Sequence, residues 1–204
     1  MKIAPETLNK ASAYKLLTGV VVPRPIAWVS TISPNGVANL APFSCFTFVS
    51  ADPPMVGFNS GLRNQQRKDT ARNILATRQF VVNIASFDLL DAVHASAADY
   101  AEDESEIEHL GLATHPADVV APPRLADCPI SLECVLDSHV PFGRSGSEFI
   151  VGEIKLFHVD DRLIVDGKVD TEILQPLMRL AGPTYAGLGK VVRLQKATEI
   201  VDRR

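Results

Sequence analysis

The chain has 204 residues, of which 46% are hydrophobic and 22% charged, a balance typical of a folded globular protein rather than a disordered one. Its formal net charge of −4 argues against broad electrostatic binding to nucleic acid or to an anionic membrane, so a phosphate would need a local site. No apolar stretch is long enough to span a membrane, and the first residues lack the apolar core of a secretion signal. A cytoplasmic protein is therefore expected.

The cysteines and histidines carry no catalytic or metal-binding pattern. Cys45, Cys128 and Cys134 form no Cys-x-x-Cys pair and lie in or beside apolar runs, so they are predicted to be buried, reduced thiols. The five histidines share no metal-ligand spacing, and no metal site is predicted. Motifs for a serine nucleophile, a Rossmann dinucleotide fold and a Walker A loop are also missing from the sequence, and no catalytic residue can be named.

The first predicted elements form a hairpin. A strand is expected at 25–32 and its return strand at 37–49, with Asn35-Gly36 between them as a turn signal. Because proline cannot donate to a ladder, the return strand is predicted to break or bulge at Ala41-Pro42.

The rest of the chain alternates short strands and short helices. Further strands are predicted at 55–59, 80–84, 130–136 and 149–158. Helices are predicted at 71–78, 87–98 and 171–180, the first of them capped by Asp69 or Thr70. Residues 99–124 are acidic and then proline-rich, and we expect an irregular insertion over the barrel. This pattern predicts one domain over 1–204, mainly β with peripheral helices, as a closed or split barrel.

The run Lys68-Asp69-Thr70-Ala71-Arg72-Asn73 is a candidate phosphate site. The start of a helix carries unpaired N–H groups and partial positive charge, which a preceding lysine and a threonine hydroxyl would reinforce. The alternative is an ordinary capped surface helix.

Small polar residues inside apolar strands are a second candidate feature. Ser30, Thr31 and Ser44 could bond to backbone groups or to the polar edge of a flat heterocycle. The aromatic residues Trp28, Phe43 and Phe46 could provide apolar walls for such a ligand or belong to the core. Asn59 and Ser60, at the end of the third strand, add amide and hydroxyl donors.

Several loose motifs occur together in one order. They are Pro23-Arg24-Pro25-Ile26-Ala27-Trp28-Val29-Ser30-Thr31, Asn39-Leu40-Ala41-Pro42-Phe43-Ser44, Asp52-Pro53-Pro54, Lys68-Asp69-Thr70-Ala71-Arg72-Asn73, Phe80-Val81-Val82-Asn83 and, near the end, Arg179-Leu180-Ala181-Gly182-Pro183-Thr184-Tyr185. This ordered set resembles the flavin reductase-like family, with the FMN-binding split-barrel fold, over about residues 14–190.

The resemblance implies a homodimer that binds one FMN per subunit near the dimer interface, with NADH or NADPH as the electron donor. It places Ser30, Thr31 and the Ala41-Pro42-Phe43-Ser44 turn along the flavin, with Asn59 and Ser60 beside its ribityl or phosphate end. Lys68 and Thr70 would take the phosphate, in agreement with the interpretation of the helix start. The implied reaction is hydride transfer to the flavin, followed by electron delivery to free flavin or to a partner.

One departure from the family pattern keeps alternatives open. Many reductases of the family carry a histidine, associated with the nicotinamide side, where this chain has Phe149, and Ala181 replaces a usual glycine. A non-catalytic FMN electron-transfer protein is therefore one alternative. A flavin-dependent oxidase or reductase of a small organic substrate is another, because one fold hosts several functions.

Overall fold

The computed structural model describes residues 1–194, and strands make up most of its regular structure. In chain order the strands are β1 (Arg24–Pro25), β2 (Ala27–Ile32), β3 (Ala38–Phe43), β4 (Phe46–Ala51), β5 (Pro54–Ser60), β6 (Leu62–Arg63), β7 (Gln66–Arg67), β8 (Gln79–Ile84), β9 (Thr114–His115), β10 (Arg124–Leu125), β11 (Ile130–Phe142), β12 (Ser147–Val159), β13 (Ile164–Val165), β14 (Lys168–Val169), β15 (Met178–Arg179) and β16 (Tyr185–Ala186).

The helices are short and lie outside the main sheet. They are α1 (Lys10–Val20), α2 (Asp69–Thr77), α3 (Leu90–Ala95), α4 (Glu106–His109) and α5 (Thr171–Leu174), with 3₁₀ turns at Pro5–Thr7, Phe87–Leu89 and Asp161–Leu163. No helix within residues 1–194 is both long and apolar enough to cross a membrane.

Seven strands pair antiparallel in the order β3-β2-β8-β11-β12-β5-β4. The two outermost strands, β3 and β4, are consecutive in the chain and joined only by Ser44 and Cys45. The sheet must therefore curl until its edges meet, which makes it a barrel split between β3 and β4. The N–H of Asn59 on β5 donates to the carbonyl of Cys45 (2.9 Å) and holds this junction.

Alternate residues of the strands pack into two separate clusters. The barrel interior contains Val29, Phe58 and Phe80, with 5.9 Å between the centroids of the two phenyl rings. The opposite face of β2 and β3 carries Trp28 and Leu40, which pack in a second cluster with residues of α3, α4 and β10. The acidic and proline-rich stretch thus covers one outer face of the barrel.

Several predicted boundaries were wrong. The return strand of the first hairpin is not broken at Ala41-Pro42, since β3 runs on to Phe43 and the break falls at 44–45. The first predicted helix starts at Asp69 after Lys68, with no side-chain cap. The predicted helix at 171–180 ends at Leu174, where Gln175 adopts a left-handed conformation (φ 46°). Residues 99–124 contain α4, β9 and β10 and are only partly irregular.

Two parts of the chain lack a neighbour on one side. Helix α1, which the sequence analysis did not predict, buries none of its 11 residues. The end of β11, from Ser138 to Phe142, pairs only with β12, whereas β12 itself stays paired with β5 as far as Glu148. An isolated helix of this length is marginal in water without tertiary packing.

Candidate functional site

A cleft lies along the free edge of β3, where the start of α2 approaches it. Four of the predicted site residues line this cleft, namely Ala41, Pro42, Lys68 and Thr70. Residues that the sequence analysis did not select complete it, namely Asn39, Arg63, Asp69, Glu106 and 96–98.

The free edge of β3 explains why proline is tolerated there. The N–H of Leu40 points away from β2 and donates to the Glu106 carboxylate (2.8 Å). Because N–H directions alternate along a strand, the nitrogen of Pro42 also faces the free edge, and no ladder hydrogen bond is lost. The edge itself, rather than a break in the strand, therefore presents backbone groups to the cleft.

Thr70 and the start of α2 form one end of the cleft. The Thr70 side chain is buried, and its hydroxyl accepts a hydrogen bond from the Asn39 amide (2.9 Å). Lys68 immediately precedes the helix, and no side chain caps the first turn. The first N–H groups of an α-helix have no partner within the helix, so this end offers donors to an anion.

The Lys68 ammonium lacks an anionic partner. It lies 5.4 Å from the centroid of the Phe43 ring, and within residues 1–194 its side chain forms no ion pair or hydrogen bond. Burial, together with the nearby charge of Arg63, lowers the pKa of Lys68, although the charge of Asp99 opposes this effect. A half-buried cation of this kind is costly unless an opposite charge joins it.

Ser44 is held by a buried arginine that the sequence analysis did not assign to the site. The Arg24 guanidinium donates from Nε to the Ser44 hydroxyl (3.4 Å) and also donates to the carbonyls of Thr18, Val21 and Leu180. Arg24 thereby joins the end of α1, the C-terminal segment and the β3–β4 turn. In the sequence, its position between two prolines inside the Pro23–Thr31 motif was a signal by which Arg24 could have been assigned to the site.

Three predicted residues of β2 do not line the cleft. The Trp28 indole donates to the hydroxyl of Ser96, a lining residue at the end of α3 (2.9 Å). The Ser30 hydroxyl donates to the carbonyl of Pro123 (2.6 Å), and the Thr31 hydroxyl accepts from the Asn73 amide (3.1 Å). All three side chains are buried, and they hold the end of α3, the insertion and α2 against the barrel.

The predicted donors on β5 differ from each other. Asn59 is half-buried at the β3–β4 junction. The Ser60 side chain is buried, and its hydroxyl has no partner among the described residues. A buried hydroxyl without a partner is uncommon in folded proteins, so this atom is available to an absent ligand.

Glu106 brings a carboxylate into the cleft from α4. Burial raises the pKa of Glu106, although the hydrogen bond from the Leu40 N–H opposes this effect. The sequence analysis described its surroundings only as an acidic insertion and missed this contact.

A second carboxylate, Glu133, lies fully buried on the far side of the insertion. It accepts hydrogen bonds from the N–H groups of Asp118 (2.8 Å) and Val119 (2.7 Å) and contacts Nε2 of His158 (2.6 Å). Burial raises its pKa, but the N–H donors and His158 outweigh that effect, and the pKa of Glu133 lies below its ordinary value. Asp118, Glu133 and His158 have the donor atoms of a metal site, but both oxygens of Glu133 already accept N–H groups. We therefore assign Glu133 the role of fixing the insertion to the barrel.

The prediction of buried thiols is correct for Cys134, whereas Cys128 is only half-buried. Burial raises the pKa of the Cys128 thiol to about 12 and also raises that of Cys134, so both are unreactive thiols. Cys45 is exposed, because it lies in the short connection between β3 and β4 rather than in a strand.

Comparison with known proteins identifies the family. A family model described as Flavin reductase like domain matches residues 19–171. The chain belongs to the flavin reductase-like family. An uncharacterised protein from Halalkalibacterium halodurans is 40% identical over 203 residues, 97% of each chain.

Two solved structures are similar to this flavin reductase-like chain over nearly all of its length. Nitrilotriacetate monooxygenase component B from Bacillus cereus is 35% identical, with a TM-score of 0.92 over 95% of this chain and 98% of the other. The 2-nitrobenzoate 2-nitroreductase NbaA of Pseudomonas fluorescens is 32% identical, with a TM-score of 0.88 over 97% of both. The predicted family and split-barrel fold are confirmed, and these neighbours support a flavin-related oxidoreductase.

Proposed function

We propose that the protein binds FMN in the β3–α2 cleft and acts as an NAD(P)H-dependent oxidoreductase of the flavin reductase type. The observation that carries this proposal is the Lys68 ammonium, which is half-buried at the start of α2 with no partner in residues 1–194. A phosphate monoester would supply the missing negative charge and accept the free N–H groups of the helix.

Further residues would serve the other parts of the same ligand. Thr70, which lines the cleft, would add a hydroxyl to the phosphate. Ser60 does not line the cleft, but its unpartnered hydroxyl on β5 would meet the phosphate or the ribityl chain. The free edge of β3 at 41–44 would offer backbone groups to the isoalloxazine. Bound flavin would supply the redox chemistry, taking two electrons from a reduced nicotinamide and passing them to an acceptor.

The named neighbours support a redox role without fixing the substrate. One is a component of a nitrilotriacetate monooxygenase and the other is a nitroreductase, and each is more than 30% identical to this chain. Because the two names refer to different reactions, they do not identify the electron acceptor of this chain, which must be found by experiment.

Anaerobic reduction tests the proposed donor. We expect the purified protein, mixed with FMN and either NADH or NADPH, to bleach the flavin absorbance many times faster than a protein-free control. A flavin that stays oxidised with both nucleotides would contradict the reductase assignment while leaving FMN binding intact.

Phe149 favours an electron carrier as the second candidate. Its ring packs over Gly57, where an added Cβ would lie 2.5 Å from it. An aromatic ring therefore stands where many reductases of the family carry the histidine associated with the nicotinamide. Reduction by a partner protein, but not by nicotinamides, would support the carrier. In that case the variant Phe149→His should gain nicotinamide oxidation, because it introduces the histidine that many reductases of the family carry at this position.

We also propose that the protein is a homodimer and that α1 and the outer end of β11 lie in the interface. Tyr14, Leu17 and Val20 of α1 are 67%, 61% and 72% exposed, and Phe142 at the end of β11 is 55% exposed. A second copy of the chain would cover these apolar residues and give α1 the packing it lacks.

Light scattering of the intact protein checks this proposal. We expect the mass of a dimer for the wild type and a shift toward monomer for Leu17→Glu, because a carboxylate would be buried in the interface. Lys15→Glu, a charge change on the same helix, should remain dimeric. A monomeric wild-type protein would contradict the proposal.

A further inference from the structure

An acidic segment, residues 99–108, lies against the cations that flank the proposed phosphate position. Asp99 binds Arg63 (2.8 Å) and Glu102 binds Arg72 (2.6 Å). Arg63 lines the same cleft as Lys68, and Arg72 lies in the first turns of α2, where it also pairs with Asp69 of the same helix. Of the four cations near the helix start, Arg63 and Arg72 are therefore paired with this segment. Arg67 pairs with Glu148, and Lys68 forms no ion pair among the described residues.

The segment is attached to the barrel at its C-terminal end. Glu106 is 7% exposed, and its carboxylate accepts the N–H of Leu40 on the free edge of β3. Ile107 is also buried, in the outer cluster with Trp28 and Leu40. The carboxylates of Asp99 and Glu102, by contrast, are 78% and 76% exposed, so these two side chains can leave their partners at little cost.

We infer that the acidic segment sets the affinity of the phosphate subsite, because Asp99 and Glu102 compete with the phosphate for Arg63 and Arg72. This inference rests on the proposed function. Any dianion that approaches Lys68 meets two guanidinium groups whose charge is already neutralised and two carboxylates that repel it. FMN would then be held by Lys68, Thr70 and the helix start alone, and would exchange readily with solution.

An exchangeable flavin has a direct functional meaning. A reductase that hands reduced flavin to another protein must release it, whereas a carrier retains its flavin through many cycles. The inferred competition therefore favours flavin as a substrate over flavin as a permanently bound group.

The test compares two flavins and four variants by quenching of flavin fluorescence. We expect Asp99→Asn to bind FMN about two- to fivefold more tightly, which is the range for an exposed ion pair. Glu102→Gln should have a smaller effect, because Asp69 still pairs with Arg72, and the double variant should bind at least as tightly as Asp99→Asn. Riboflavin, which lacks the phosphate, should bind all of them as it binds the wild type. Asp103→Asn is the matched control, since Asp103 is exposed in the same segment and forms no ion pair in the described residues.

The possible results separate this inference from the function on which it rests. Unchanged or weakened FMN binding in the double variant would overturn the inference alone, as would an equal effect of Asp103→Asn, which would indicate net charge rather than competition. Equal tightening of riboflavin would also overturn it. Failure of the wild-type protein to bind FMN at all would overturn both.

Discussion

Lys68→Ala is expected to weaken FMN binding by about 1–3 kcal/mol, roughly 5- to 150-fold, because it removes a charge-assisted hydrogen bond to the phosphate. Riboflavin binding should change little, since riboflavin makes no contact that depends on the ammonium. Fluorescence titration of both flavins measures the two effects in one experiment. Lys168→Ala, in the distant β13–β14 hairpin, removes the same charge and should leave both affinities unchanged.

The protonation of Lys68 also makes stability and FMN affinity depend on pH. The folded-state pKa of Lys68 is lowered, so between that pKa and the ordinary lysine value the unfolded chain binds more protons than the folded one. The stability of the ligand-free protein should rise with pH across this window, and FMN affinity should fall as the ammonium loses its proton. Lys68→Met should abolish both trends. Equal affinity of Lys68→Ala and wild type for FMN would contradict the phosphate assignment.

Glu133→Ala is expected to lower the free energy of unfolding by about 2–4 kcal/mol, because it leaves the N–H groups of Asp118 and Val119 and the His158 ring without their shared acceptor. Urea unfolding followed by circular dichroism measures the loss. Glu153→Ala is the matched control on the neighbouring strand β12. Its partly exposed pair with Lys155 should contribute less than about 1 kcal/mol.

The pH dependence of stability provides an independent check on Glu133. The pKa of Glu133 is lowered in the folded state, so its contribution is complete above the ordinary glutamate value and is lost as the pH falls through the folded-state pKa. Glu133→Gln should therefore reduce the slope of stability against pH in the acidic range. A variant with wild-type stability at neutral pH, or with the wild-type acidic slope, would show that this carboxylate does not fix the insertion.

The sequence predicted those parts of the fold that local chemistry determines. Gly36 takes a positive φ (87°) in the turn of the first hairpin, as the Asn35-Gly36 signal indicated. Lys68 was predicted to precede a helix, because the helix start was recognisable as a local pattern. Its place in one cleft with Pro42 was implied by the family resemblance alone.

Contacts between segments that are distant in the sequence could not be predicted in the same way. The alternation in 130–136 set Ser131 and Glu133 apart from the apolar residues, yet both are buried, because the insertion covers the second face of the sheet. The break predicted at Ala41-Pro42 depended on knowing which side of β3 has a neighbour, and only the closed topology reveals that this edge is free. The resemblance placed the hydroxyls of Ser30 and Thr31 along the flavin, but their observed partners are the carbonyl of Pro123 and the amide of Asn73, both distant in the sequence.

Binding of FMN and riboflavin to the wild-type protein, compared in one fluorescence titration, is the decisive test of a phosphate site at the start of α2. We expect saturable binding of FMN, with affinity at least about tenfold higher than for riboflavin, because Lys68 and the start of α2 hold the phosphate. Equal affinity for the two flavins, or no binding of FMN, would contradict it.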